Sequence, residues 1–331
     1  MNYKEIIGID VGKLSNELRI HSSQKSYGFN NNQADCKRMG KWVVKNTTCE
    51  KHEMLFVLEH TGIYTHHLTC YLQENKFPFV LVPGLAVKRS LGITRGKDDK
   101  IDAKKIALYG YRLKDELAPT ELPSPDIHNI KNLLTLREQL VKQRAGYKAR
   151  LGEMKRFLKK NANEVLFSVQ EKMIKDITGQ INKIEAEVDS ILKGSEVLKS
   201  LFVLLTSIKG IGRQTALYLI IFTNGFTQFS TWRKFASYCG IAPFPNRSGT
   251  SLRGKTKVSH LANKRIKALL DQCAKSAIQY NQEMKMYYEK RLADGKSKMS
   301  TINVVRNKLL SRVFAVANRG TPYVDLVKYA A

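Results

Sequence analysis

Acid is what this chain has little of. Its 331 residues carry 29 Asp and Glu against 56 Lys and Arg, a formal net charge of +27. A folded chain this basic calls for a polyanion as partner, and nucleic acid is the commonest one. An anionic membrane would want the charge gathered in one basic amphipathic helix or polybasic tail; here Lys and Arg run through the whole chain. Long apolar runs are also lacking. The longest, residues 201–205 and 216–222, fall far short of the ~20 residues that cross a bilayer. The first twelve residues show no basic leader followed by a long apolar core, so neither a membrane span nor a secretory signal is expected. Cysteine is sparse and odd in number: Cys36, Cys49, Cys70, Cys239 and Cys273, with no C-x-x-C pair. That sets aside a disulfide framework and points to reduced thiols in a cytoplasmic protein. Cys49 and His52, followed by His66 or His67 and Cys70, are residue types zinc uses. The helical periodicity around His66 and Cys70 already accounts for those two, so no zinc is expected.

What is present begins with alternating elements over residues 1–115. Ile6, Ile7, Gly8, Ile9, Asp10 and Val11 read as a buried strand ending in a carboxylate. Further strands are expected at 17–21, 26–29, 54–59 and 79–82, the last stopped by Pro83-Gly84, with helices at 34–45 and 64–73 and another from Asp99 onward. The continuous apolar runs suit central strands covered on both faces. Asp10 and Glu59 end two such strands. Asp99 and Asp102, three apart, share a helix face. Each has an ordinary reading of its own: a turn residue before Gly12, a helix cap, an acidic first turn complementing the helix dipole. Together, in a chain carrying +27, four acids on separate elements ask for a divalent cation. Their hard oxygens suit Mg²⁺, or Mn²⁺, ions that assist phosphoryl displacement.

Three motifs carry a resemblance. G-I-D-V-G-K at 8–13, E-x-T-G-x-Y at 59–64 and K-x-D-x-x-D-A at 97–103 resemble the Asp-Glu-Asp-Asp (DEDD) transposases of bacterial insertion sequences, and the element order resembles the RNase H/RuvC nuclease fold. The resemblance implies an α/β RuvC-like nuclease domain over 1–115, with Asp10, Glu59, Asp99 and Asp102 as its metal-binding carboxylates. It departs from the family at Asp98, where the family usually has Thr, and at Val82-Pro83-Gly84, where it usually has V-N-P.

Residues 116–200 read as a linker marked by Pro119, Pro123 and Pro125, then a helical segment. Ile174, Ile177, Ile181, Ile184, Val188 and Ile191 alternate three and four steps, the heptad period of a coiled coil. A helical bundle within one monomer fits the same pattern. The resemblance favours an antiparallel hairpin that also pairs with a second subunit, giving a dimer or tetramer.

Residues 201–331 read as mainly helical. Lys209, Gly210, Ile211, Gly212 and Arg213 precede an apolar helix and resemble a helix-hairpin-helix, whose glycines let backbone N–H groups approach a phosphate. A plain helix-turn-helix corner is the alternative. Residues 241–256 read as a loop holding Arg247, Arg253 and Lys255, with Lys257 just beyond. A helix expected at 261–280 adds Lys264 and Arg265. A basic loop beside a basic helix is what phosphate-backbone binding needs. Ser248 sits in that loop; on its own it reads as a turn residue. By resemblance to the family's C-terminal transposase domain, it is the nucleophile.

The implied function is a DNA recombinase guided by a structured bridge RNA, cytoplasmic and nucleoid-associated in a prokaryote, acting on donor and target DNA. The alternatives are a RuvC-like metal-dependent endonuclease or Holliday-junction resolvase without serine chemistry, a sugar-kinase-like ATPase sharing the G-I-D-x-G strand, and a non-catalytic nucleic-acid scaffold.

Overall fold

The computed structural model describes residues 3–90, 92, 98–248 and 252–324. The chain divides into two compact units, Met1–Leu122 and Pro123–Ala331.

The first unit is a five-stranded mixed sheet with helices on both faces. In chain order it contains β1 (Glu5–Val11), β2 (Ser15–Ile20), β3 (Ser26–Asn30), α1 (Gln33–Asn46), β4 (Met54–Glu59), α2 (His66–Glu74), β5 (Phe79–Val82), α3 (Gly84–Ser90) and α4 (Asp99–Arg112). The strand order is β3-β2-β1-β4-β5. The strands β1, β4 and β5 are parallel, and the pairs β1–β2 and β2–β3 are antiparallel. Alternation along each strand sorts side chains to two cores. Ile7, Ile9, Leu18, Phe56 and Leu58 pack with Met39 and Val43 of α1 and Leu68 and Leu72 of α2. Ile6, Leu55, Val57 and Val80 pack on the other face with Val87 of α3 and Ile106 of α4. Central strands buried on both sides explain why β1 and β4 read as unbroken apolar runs.

The helix α4 comes unusually close to the sheet because its contact residues are small. A Cβ on Gly8 would run into the backbone of Ala103 and Ala107, and one on Gly110 into Val57 and Ile6. One element was not anticipated. Pro83-Gly84 was expected only to stop β5; it also opens α3, with the Pro83 carbonyl accepting from the Ala86 N–H at 2.8 Å. Proline has no N–H to lose at a helix start, so the same residue ends a strand and begins a helix.

The second unit is mainly helical: α5 (Pro125–Phe157), α6 (Glu164–Gly194), α7 (Glu196–Thr206), α8 (Arg213–Thr223), α9 (Trp232–Tyr238), β6 (Pro243–Ser248), β7 (Leu252–Val258), α10 (Lys264–Tyr280), α11 (Gln282–Ala293) and α12 (Lys298–Arg319). Ser124 caps α5 by accepting from the Ile127 N–H, with Pro125 in the first turn. At 33 residues, α5 is about 50 Å long. The helices α5 and α6 run antiparallel, as Arg137–Glu185 (2.6 Å) and Lys155–Glu171 (3.9 Å) show from opposite ends. Ile177, Ile181, Ile184 and Val188 are buried along the seam. The base of this pair enters the main core, where Ile130, Leu134 and Leu192 meet Leu205, Leu217, Leu270 and Leu309.

Of residues 241–256, expected to be a loop, 243–248 and 252–256 lie in a two-stranded antiparallel ribbon, β6 paired with β7 from Pro243↔Val258 to Ser248↔Leu252. Pro243 and Pro245 both lie within β6. In a two-stranded ribbon each strand has one free edge, so a missing N–H there costs nothing. The register shifts between Phe244 and Asn246, at Pro245. The helix expected from 261 begins at Lys264, capped by Asn263, whose side chain accepts from the N–H groups of Arg265 and Ile266. No helix among the described residues is long and apolar enough to cross a membrane.

Candidate functional site

The carboxylates expected to act together meet at one end of the first unit's sheet. Asp10 shares strand parity with Ile6 and Gly8, and Glu59 with Leu55 and Val57, so both point to the α4 face. One step past the Ile9↔Leu58 pairing, they stand side by side on parallel strands. The N-terminus of α4 reaches the same place. Gly110 lies against Ile6 and Val57, and Ala103 and Ala107 lie against Gly8. Two strand residues advance about 6.6 Å, which four to five helical residues also cover. The first turn of α4, holding Asp99 and Asp102, therefore falls opposite Asp10.

The electrostatics agree. Asp10 is pushed up from its ordinary 3.8 to about 6, first by burial and then by the negative charges of Asp99, Asp102 and Glu59. Lys105, one helical turn beyond Asp102, sets its ammonium 2.7 Å from the Asp102 carboxylate. Spacing of three on a helix makes this pair legible in sequence, but only the fold puts it beside the other acids. Glu59 leans against the first residue of α3, where a Cβ on Gly84 would strike its carboxylate. Asp98 is the N-cap residue of α4, yet its side chain caps nothing. Glu17 stands directly across from Asp10 in register. It lies instead over Gly28, which has no Cβ to displace it. Gly96 and Lys97, the start of the acidic motif, lie outside the described residues.

In kind and charge these acids suit a hard divalent cation: all offer oxygen, and Asp10 bears uncompensated repulsion that such an ion would relieve. They are not closed around one point. Among the described residues no three acid, histidine or cysteine side chains are gathered tightly enough to hold a metal ion. This includes His66 and Cys70, whose ring and sulfur are 3.7 Å apart.

The basic residues expected to bind nucleic acid lie in the second unit and fall into two groups. Arg213 is committed internally, 2.6 Å from Asp189 and within 3.4 Å of the Glu185 carbonyl. Arg265 sits 3.2 Å from Glu138 and over the Tyr218 ring. Both tie helices together as well as carrying charge. Gly210, with φ of +98°, is pressed against Ala277 and the Cys273 carbonyl of α10, while Gly212 opens α8 with free space at its Cα. Lys209 belongs to the same connection. Lys257 and Lys264 are exposed. Arg247 and Arg253 face each other in register on the ribbon, next to Ser248 at the end of β6 and near Lys255 on β7; the side chains of these four lie outside the described residues, as does Gly249.

The ribbon's base is pinned by residues that sequence reading missed. The carbonyl of buried Ile241 accepts from the side-chain amides of both Asn303 (2.9 Å) and Asn307 (3.1 Å) on α12. At its exit, the Asn263 N–H donates to the Tyr238 carbonyl at 2.9 Å. No pattern in the sequence links residue 241 to residue 307.

Comparison with known proteins now gives the class. Residues 7–157 match a model for DEDD transposases of the IS110 type, and residues 203–289 match the model described as Transposase IS116/IS110/IS902 family. The chain is 27% identical over 333 aligned positions to pilin gene-inverting proteins of Moraxella bovis and Moraxella lacunata, covering 97% of this chain and 98% of each relative. It is also 28% identical over 144 positions to an uncharacterized 43.6 kDa protein of insertion element IS110 from Streptomyces coelicolor, covering 44% of this chain and 34% of that one. An acid-bearing sheet unit followed by a mainly helical basic unit, matched in both parts, defines a transposase. The chain belongs to the IS110 family of DEDD transposases.

Proposed function

We propose that this chain cuts and rejoins DNA strands through the carboxylates of its first unit and the Ser248 hydroxyl of its second, performing transposition or DNA inversion. The observation that carries the reading is the pairing of β1 with β4, which sets Asp10 beside Glu59, together with the packing of Gly8 against Ala103 and Ala107, which sets the acidic first turn of α4 at the same sheet end. Asp10, Glu59, Asp99 and Asp102 would hold Mg²⁺ or Mn²⁺, whose charge, when bound, offsets that of the phosphate under attack. The Ser248 oxygen attacks phosphorus. Its bond to phosphorus forms as one deoxyribose oxygen leaves, and the proton lost by the serine is taken up by that departing oxygen. The link is reversed by an incoming strand end, so strands exchange without hydrolysis. Arg247, Arg253 and Lys255 balance the phosphate's charge, and the 207–212 connection acts as a helix-hairpin-helix on the DNA backbone.

In this reading a bridge RNA selects the target, so the protein need not read base edges. The domains divide by role at about residues 115 and 200, and the long helices form a coiled coil that joins copies into a dimer or tetramer. Phe157, Val165, Leu166 and Val169 support the pairing: all four are exposed together near the tip of the α5–α6 pair. The protein works in the cytoplasm on nucleoid DNA. A second reading, an endonuclease or junction resolvase using the carboxylates alone, is favoured by the completeness of the acid set within one unit.

A recombination assay with Asp10→Asn and Ser248→Ala separates the two. The proposal expects both variants to lose product, with Ser248→Ala retaining divalent-cation binding and Asp10→Asn losing it. Unchanged strand cleavage by Ser248→Ala would remove the serine and leave the nuclease.

A further inference from the structure

Lys105 differs from the other lysines and arginines that pair along a helix in this chain. Its ammonium lies 2.7 Å from Asp102 Oδ1, and its side chain is only 21% exposed. In the other described pairs at three- or four-residue helical spacing, Arg38, Lys142, Lys199 and Lys275 are all more than half exposed. Water screens pairs of that kind, and they contribute little. Lys105 is screened less, and its partner is a group the reaction needs.

The pair is also selective. Lys100 and Lys104, on the same helix, are exposed and pair with no described acid. Asp10, Glu59 and Asp99 have no described cation against them, so among the described residues Asp102 alone of the four is neutralised from within the chain. Side chains on a helix lean toward its N-terminus. Lys105 therefore reaches back over Asp102 toward the first turn of α4, the end at which the acids collect.

This placement sets up a competition. The ammonium takes a carboxylate oxygen that a divalent cation would otherwise share, and two cations on one carboxylate repel each other. A partly buried ammonium is costly to leave without a partner. Lys105 thus opposes cation binding until another anion is there to receive it. On the reading proposed above, the DNA phosphate brought to the cluster is that anion.

We propose that Lys105 occupies Asp102 in the DNA-free chain and passes to the DNA phosphate when a divalent cation takes its place, so that cation and DNA each favour the other's binding. Lys105 is then a positioning residue for Asp102 before loading and a phosphate contact after it. The inference rests on the metal-binding role proposed for the carboxylates and adds a reciprocal dependence of cation loading on DNA.

The test uses the full chain and two variants. Lys105→Met keeps the aliphatic stem and a good helix former while removing the charge; Lys105→Arg keeps the charge. Calorimetric titration of Mn²⁺ without DNA should show Lys105→Met binding about fivefold tighter than the wild type, the scale of one partly screened pair. A fluorescent DNA duplex in Ca²⁺ should bind Lys105→Met about three- to tenfold more weakly, with its salt slope reduced by about one. Lys105→Arg should stay within about twofold of the wild type in both. Shifts of opposite sign are the signature, since losing a merely structural helix pair would move neither affinity; unchanged circular dichroism verifies folding. Mn²⁺ binding by Lys105→Met that is no tighter than the wild type's overturns the proposal, as does an unchanged DNA affinity and salt slope. If neither chain binds Mn²⁺, the metal-binding role of the carboxylates falls and the proposal with it; if both bind it equally, only the role given to Lys105 is lost.

Discussion

Replacing Asp10 with Asn should make the protein more stable and inactive. The Asp10 carboxyl is raised from 3.8 to about 6 by burial and by Asp99, Asp102 and Glu59, so at neutral pH the folded state holds a charge it disfavours. The gap corresponds to about 3 kcal/mol at ~1.4 kcal/mol per pH unit. Solvent reaches this side chain in part, and screening reduces the figure to on the order of 1–2 kcal/mol. The sign follows from proton binding. Between about pH 4 and pH 6 the folded protein retains a proton that the unfolded chain releases, so stability falls as pH rises through that window. Asp10→Asn removes the fall. Thermal melts at pH 7.5 should place the variant about 3–8 °C above the wild type for the first unit, with the difference shrinking toward pH 4. Saturating Mg²⁺ should raise the wild type by up to ~3 kcal/mol at a hundredfold excess over its Kd and leave the variant unmoved. The reasoning is refuted if Asp10→Asn melts at or below the wild type at pH 7.5, or if Mg²⁺ stabilises both equally.

Gly8→Ala should displace α4, since the added methyl would meet the backbone of Ala103 and Ala107; a loss of about 1–3 kcal/mol in denaturant melts is expected, together with weakened cation binding. Asn303→Leu with Asn307→Leu leaves the Ile241 carbonyl buried without its two donors, at a cost of about 1–3 kcal/mol. Hydrogen exchange should then speed up in the β6–β7 ribbon before it does in α8 or α10. Phe157→Ser with Val165→Ser, at the exposed tip of the long helices, should lower the mass seen by light scattering toward one chain without changing the circular dichroism of the helices.

The first unit was largely legible in sequence because its signals are local and strong. Strands covered on both faces show as unbroken apolar runs; β4 ends on Glu59 as expected, and β1 runs one residue past Asp10, to Val11. The acids' convergence rested on fold-level reasoning, and the small residues Gly8, Ala103, Ala107 and Gly110 supply its physical means. Other features were hidden for identifiable reasons. Pro83 was read for what it stops and not for what it can start. The β6–β7 ribbon carries two prolines, and its tolerance of them depends on having free edges, which sequence does not display. Arg213 and Arg265 counted toward a basic surface because their partners, Asp189 and Glu138, lie 24 and 127 positions away. The amides of Asn303 and Asn307 gave no signal, since one buried carbonyl defines their role.

The central claim is that Asp10, Glu59, Asp99 and Asp102 act as one metal-binding group. Calorimetric titration of Mn²⁺ into the full chain and into each single carboxamide variant, Asp10→Asn, Glu59→Gln, Asp99→Asn and Asp102→Asn, tests it most directly. Binding by the wild type, weakened about tenfold or more in all four variants, is the predicted result. Wild-type affinity in any one of them, or no binding by the parent chain, would contradict it.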